Sequence, residues 1–136
     1  MIDELYQTQI LSLARQARAS AELAHPTHQL EMKNPLCGDH VRLSLQIDDG
    51  VIVAISCQVK GCALCEAGAG LCISMIKDQP TSEIYNLCET VKNFLNSAPY
   101  PKNCEDVLMP FTPVRSVKNR HKCVTLTFDA LTRLNH

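Results

Sequence analysis

The chain has 136 residues, 46% hydrophobic and 20% charged, with 13 basic against 14 acidic side chains. That size predicts a single compact domain over residues 1–136, burying roughly two-thirds of its unfolded surface. A net charge of -1 leaves no basic excess to displace phosphate counterions, which argues against a nucleic-acid partner. The longest unbroken apolar run, Val51 to Ile55, is far short of the roughly 20 residues that span a bilayer, so no membrane role is expected. No basic flank followed by an apolar segment opens the chain, and a cytoplasmic protein is expected. In that setting eight cysteines point to metal or thiol chemistry, because reducing compartments keep thiols free.

In chain order, Leu5, Ile10, Leu13 and Ala17 recur at helical spacing and predict a helix from Ile2 to about Ala24. His25-Pro26-Thr27-His28 breaks it. Val41, Leu43, Leu45 and Ile47 then alternate with Arg42, Ser44 and Gln46, which is strand periodicity. Asp48-Asp49-Gly50 is a hairpin signal, returning the chain into a strand from Val51 to Val59. Gln29 to Lys33 adds a third strand. Cys62 to Lys77 reads as a helix rich in small residues, where Gly68 and Gly70 require close packing to compensate for their low propensity. Pro80-Thr81-Ser82 interrupts, and Ile84, Leu87, Cys88, Val91, Phe94 and Leu95 predict another helix. Four prolines make residues 97–118 irregular, and a last helix runs from about Asn119 to Leu134. The order predicts the α+β class, a small antiparallel β-sheet packed with helices.

Three places put a thiol where the backbone activates it. Cys37 and Asp39 flank Gly38 in a turn before a strand; Cys62 sits where a strand enters a helix; Cys123 lies in the first turn of the last helix, beside Arg120, His121 and Lys122. Helix N-termini and cationic neighbours favour the thiolate, which is both nucleophile and metal ligand. Brought together, these residues make a Cys3Asp set for zinc or an iron–sulfur cluster. Spacing alone leaves that convergence open.

Asn34-Pro35-Leu36-Cys37-Gly38-Asp39, Lys60-Gly61-Cys62 and Arg120-His121-Lys122-Cys123 resemble the three ordered ligand motifs of the IscU/NifU/SufU family of iron–sulfur cluster assembly proteins. The SufU-type branch is the nearest, because residues 97–118 resemble its insertion. The resemblance covers nearly the whole chain. It implies the IscU-like α+β fold and a metal set of Cys37, Asp39, Cys62 and Cys123, with the three cysteines as cluster ligands. It further implies sulfur received from a cysteine desulfurase and passed on to recipient iron–sulfur apoproteins. The cofactor implied is zinc in a sulfur acceptor or a [2Fe-2S] cluster on a scaffold. Cys37 is the candidate sulfur acceptor, and Arg120 the candidate partner of the Asp39 carboxylate when that ligand is released. Where the family usually has small or hydroxyl residues after the second cysteine, this chain has Ala63-Leu64-Cys65-Glu66.

Two other readings use the same cysteines. Cys62-x-x-Cys65 at a helix entry is also the pattern of a thiol–disulfide oxidoreductase, although the βαβ context is missing. A purely structural zinc module would hold the metal and neither accept sulfur nor build a cluster. Cys57, Cys72 and Cys88 read as buried structural thiols, Cys65 as a packed small side chain, and Cys104 has no assigned role. His121 is expected to be a surface histidine, and His25, His28 and His40 to stand outside the ligand set.

Overall fold

The computed structural model describes residues 4–34, 38–96 and 106–134. A first helix, α1 (Glu4–Ala19), leads into an antiparallel sheet of order β1-β2-β3, with β1 at His28–Asn34, β2 at Asp39–Asp48 and β3 at Val51–Lys60. Helices α2 (Ala63–Ile76), α3 (Ile84–Asn96) and α4 (His121–Leu131) follow, with 3-10 turns at Asp106–Ser116 and Lys118–Arg120. The class is α+β, as the order of patterns implied.

The hairpin between β2 and β3 is closed by Asp49 and Gly50, with φ of 53° and 77°. Two consecutive positive φ values give a turn whose twist matches the flanking strands. The register sets Val41 opposite Val59, Leu43 opposite Cys57 and Leu45 opposite Ile55. These side chains therefore share one sheet face, against which α2 and α4 pack. α2 lies between α1 and α4, which explains why its buried residues run almost without a break from Cys65 to Cys72. Its glycines set the spacing. A Cβ on Gly68 would overlap the backbone of Val124 in α4, and one on Gly70 the backbone of Leu13 in α1. Packing on both sides offsets the propensity cost of about 1 kcal/mol per glycine.

Two helices are shorter than their sequence patterns. α1 stops at Ala19, where Ser20 leaves the helical path: its hydroxyl is 2.8 Å from Ala17 O and 3.1 Å from Cys57 O, and accepts the Cys57 N–H at 3.2 Å. The end of α1 is thereby tied to the outer edge of β3. α4 starts at His121, because residues 118–120 form a 3-10 turn. His121 is half-buried, with Nε2 3.0 Å from Val114 O and 3.1 Å from Arg115 O, so it ties the preceding segment to the helix start. Leu134 remains buried beyond the helix end. Of the stretch expected to be irregular, residues 106–116 are 3-10 turns containing Pro110 and Pro113; residues 97–105, with Cys104, lie outside the described residues.

Candidate metal centre

Asp39 opens β2. Asn34, the last residue of β1, pairs with it, and the Gly38 N–H donates to Asn34 O at 2.8 Å with Gly38 at φ 74°. The pairing thus holds Asp39 opposite Asn34 at one end of the sheet. Cys37 lies outside the described residues. Cys62 follows β3 and caps α2 in extended conformation, its carbonyl accepting the Glu66 N–H at 3.0 Å. Cys123 is the third residue of α4. Two helix N-termini and a strand end therefore meet at one place, and the positive helix ends favour anionic side chains there.

One oxygen of Asp39 and the sulfurs of Cys62 and Cys123 lie within 4.8 Å of one another. The Cys123 thiol donates to Asp39 Oδ2 at 3.9 Å, and Arg120 Nη2 donates to Cys62 Sγ at 3.3 Å. Asp39 and Cys123 are buried and Cys62 is half-exposed, so the group is approached from the Cys62 side. It floors a cleft of about 420 Å³ whose rim carries Lys60 and Arg120. Burial, followed by the neighbouring Cys62, pushes the Cys123 thiol up to about 12 despite the nearby Arg120.

The donor set suits a metal ion. Donors around tetrahedral zinc stand about 3.8 Å apart, and these three atoms need little movement to reach that spacing. Two soft sulfurs with one harder oxygen match zinc or iron. A cation would displace the thiol protons and supply the positive charge that buried sulfur and carboxylate lack. Gly61 makes room for this. A Cβ there would stand 2.7 Å from Asp39 Oδ1 and 3.2 Å from Cys65 Cβ, so only a glycine lets the carboxylate sit as it does. The sequence places Gly61 next to Cys62 but gives no sign of this contact, which joins residues 22 positions apart.

Cys65, one turn after Cys62, is wholly buried. Burial and then the charges of Asp39, Cys62 and Cys123 push its thiol far up. Cys57, Cys72 and Cys88 are buried as expected. The Cys57 thiol is 3.9 Å from Thr127 Oγ1, and the Cys88 thiol donates to Phe128 O at 3.7 Å. His40 contacts Glu31 at 3.4 Å, and His25 and His28 are exposed. Among the described residues no second trio of metal donors converges.

Residues 5–119 match the family described as NifU-like N terminal domain. The iron-sulfur cluster assembly scaffold protein IscU of Thermotoga maritima is 28% identical over 130 residues, covering 93% of this chain and 89% of that protein. The zinc-dependent sulfurtransferase SufU of Bacillus subtilis is 23% identical over 131 residues, 96% of this chain and 88% of that one. The crystal structure of a NifU-like protein (N-terminal) from Brucella abortus superposes with a TM-score of 0.82 at 29% identity, over 97% of this chain and 92% of its own. A putative SUF-system scaffold from Fervidobacterium islandicum reaches 0.82 at 22% identity, over 92% of each chain, and shows the fold alone.

Proposed function

Because the chain belongs to the family of NifU-like N-terminal domains, we propose that it serves iron–sulfur cluster assembly as a single cytoplasmic domain, holding metal on Asp39, Cys62 and Cys123. The observation that carries this is the convergence of those three donors within 4.8 Å on the floor of an open cleft. A buried structural zinc site has no need of an open cleft, whereas a site that receives and hands on its contents does. Cys37, one residue before Gly38, completes the set in this reading on the strength of its sequence motif.

Sulfur comes from a cysteine desulfurase that carries it as a persulfide. The acceptor thiolate, Cys37, attacks the outer sulfur; the S–S bond breaks, and the desulfurase cysteine leaves as a thiolate, so no oxidant or reductant is consumed. Zinc or the irons of a [2Fe-2S] cluster held by these residues would keep the cysteines deprotonated at neutral pH. Arg120, already beside Cys62 Sγ, would be the cationic partner of the Asp39 carboxylate were the metal to release it. Iron and sulfide are cargo, passed to recipient iron–sulfur apoproteins. The names of the relatives support both a scaffold and a zinc-dependent sulfurtransferase.

The test is purification without oxygen, followed by metal and sulfide analysis and incubation with a cysteine desulfurase and cysteine. Bound iron with sulfide identifies the scaffold form; one zinc with faster alanine release by the desulfurase identifies the sulfur-acceptor form. A protein that binds neither metal and leaves the desulfurase rate unchanged contradicts the proposal.

A further inference from the structure

The sequence singled out Cys65 as part of a Cys-x-x-Cys pattern, and nothing in the proposed function uses it. Its place in the fold is specific. The Glu66 N–H bond to the Cys62 carbonyl at 3.0 Å shows that α2 is helical from its first turn, so residues 62 and 65 lie on one face of it. Gly61 supplies the second constraint. The point where its Cβ would stand is 2.7 Å from Asp39 Oδ1, 3.1 Å from Asp39 Cγ and 3.2 Å from Cys65 Cβ. The Asp39 carboxylate and the Cys65 side chain thus border the same glycine-sized space. Cys65 is wholly buried, and its thiol has no hydrogen-bond partner among the described residues. It lies outside the three donors that converge within 4.8 Å, yet borders the same space as one of them, Asp39.

We propose that Cys65 is a reserve metal ligand, which takes the place of Asp39 when the carboxylate leaves the metal, converting the mixed oxygen and sulfur set into an all-thiolate one. The exchange is a ligand substitution: the Cys65 S–H loses its proton to solvent as a metal–sulfur bond forms, and the metal–oxygen bond to Asp39 breaks. No electron moves. Softness drives it, since thiolate is the better donor to zinc or iron once the harder carboxylate has gone. A buried, unpaired thiol gains most from such a bond, because metal coordination lets sulfur ionise without water. With Cys65 in its place, the site would keep its metal on thiolates alone while Asp39 is engaged elsewhere.

This inference rests on the metal-binding reading of the site, and one experiment separates the two. Wild-type protein, Asp39→Ala, Cys65→Ala and Asp39→Ala/Cys65→Ala are titrated with cobalt(II) and with zinc against a competing chelator. The sulfur-to-cobalt charge-transfer band reports the number of thiolates bound. Cys65→Ala should match wild type in affinity and band. Asp39→Ala should still bind one metal, with the band raised by one thiolate. The double variant should bind at least tenfold more weakly than Asp39→Ala, without the raised band. A double variant equal to Asp39→Ala in both respects overturns the role of Cys65 and leaves the metal site standing. A wild-type protein that takes up neither metal overturns the site itself and this inference with it. Asp39→Ala/Cys65→Ser, which nearly keeps the side-chain volume, gives the same readout if the alanine pair fails to fold by circular dichroism.

Discussion

Replacing Gly61 by alanine perturbs the site through one methyl group. Gly61 is not among the residues of positive φ, so alanine meets no backbone penalty there, and the effect is confined to what the Cβ touches. Its nearest neighbour is Asp39 Oδ1 at 2.7 Å, with Asp39 Cγ at 3.1 Å, against an ordinary contact of about 3.5 Å. The carboxylate must therefore retreat by roughly 0.5–1 Å, several times the ~0.2 Å to which metal–ligand distances are held. Displacing a ligand in this way typically costs 10–100-fold in metal affinity, equivalent to about 1.4–2.7 kcal/mol. Competition between the protein and a zinc indicator dye measures it directly. The metal-free protein should lose much less stability, because Gly61 is exposed and the carboxylate can turn into the cleft. Zinc affinity within twofold of wild type refutes the steric coupling between Gly61 and Asp39.

Gly70→Ala should destabilise the fold by about 1–3 kcal/mol despite the better helix propensity of alanine, because its Cβ meets main-chain atoms of Leu13 rather than a flexible side chain; a raised urea midpoint contradicts this. Arg120→Ala should keep its metal and slow sulfur transfer about tenfold, the value of one charge-assisted contact, since the guanidinium beside Cys62 Sγ is lost; unchanged alanine release by the desulfurase removes Arg120 from the mechanism. Burial pushes the Cys57 thiol up to about 11 and the Cys88 thiol up to about 12, while unfolded thiols ionise near 8.5. Both contributions are fully present below about pH 8.5 and are lost as pH rises through the folded values. The metal-free protein should therefore lose melting temperature between pH 9 and 10.5, at about 1.4 kcal/mol per pH unit for each thiol. Cys57→Val should flatten that decline, and a melting temperature independent of pH over this range contradicts the burial argument.

The local rules were enough where structure is local. The alternation from Val41 to Ile47 and the Asp49-Gly50 turn located the hairpin, and the small residues of α2 announced a tightly packed helix before its neighbours were known. The ends of α1 and α4 were not legible. Ser20 stops α1 by bonding to Cys57, 37 residues away, and the 3-10 turn before α4 is tied down by segment 106–116 through His121. At the site, spacing alone put each donor at an activating backbone position without showing that the three positions meet. The ordered motifs supplied that expectation, and β-strand pairing with the α2–α4 packing supplies its physical cause. The relation of Gly61 to Asp39, and of both to Cys65, exists only in three dimensions.

The most direct test is the zinc and iron content per chain of oxygen-free preparations in which single cysteines are replaced by alanine. Loss of metal in Cys62→Ala and Cys123→Ala, with full retention in Cys72→Ala, is the expected result, because Cys72 is buried in the core and stands outside the converging donors. Full metal content in Cys62→Ala and Cys123→Ala would contradict a metal centre built on Asp39, Cys62 and Cys123.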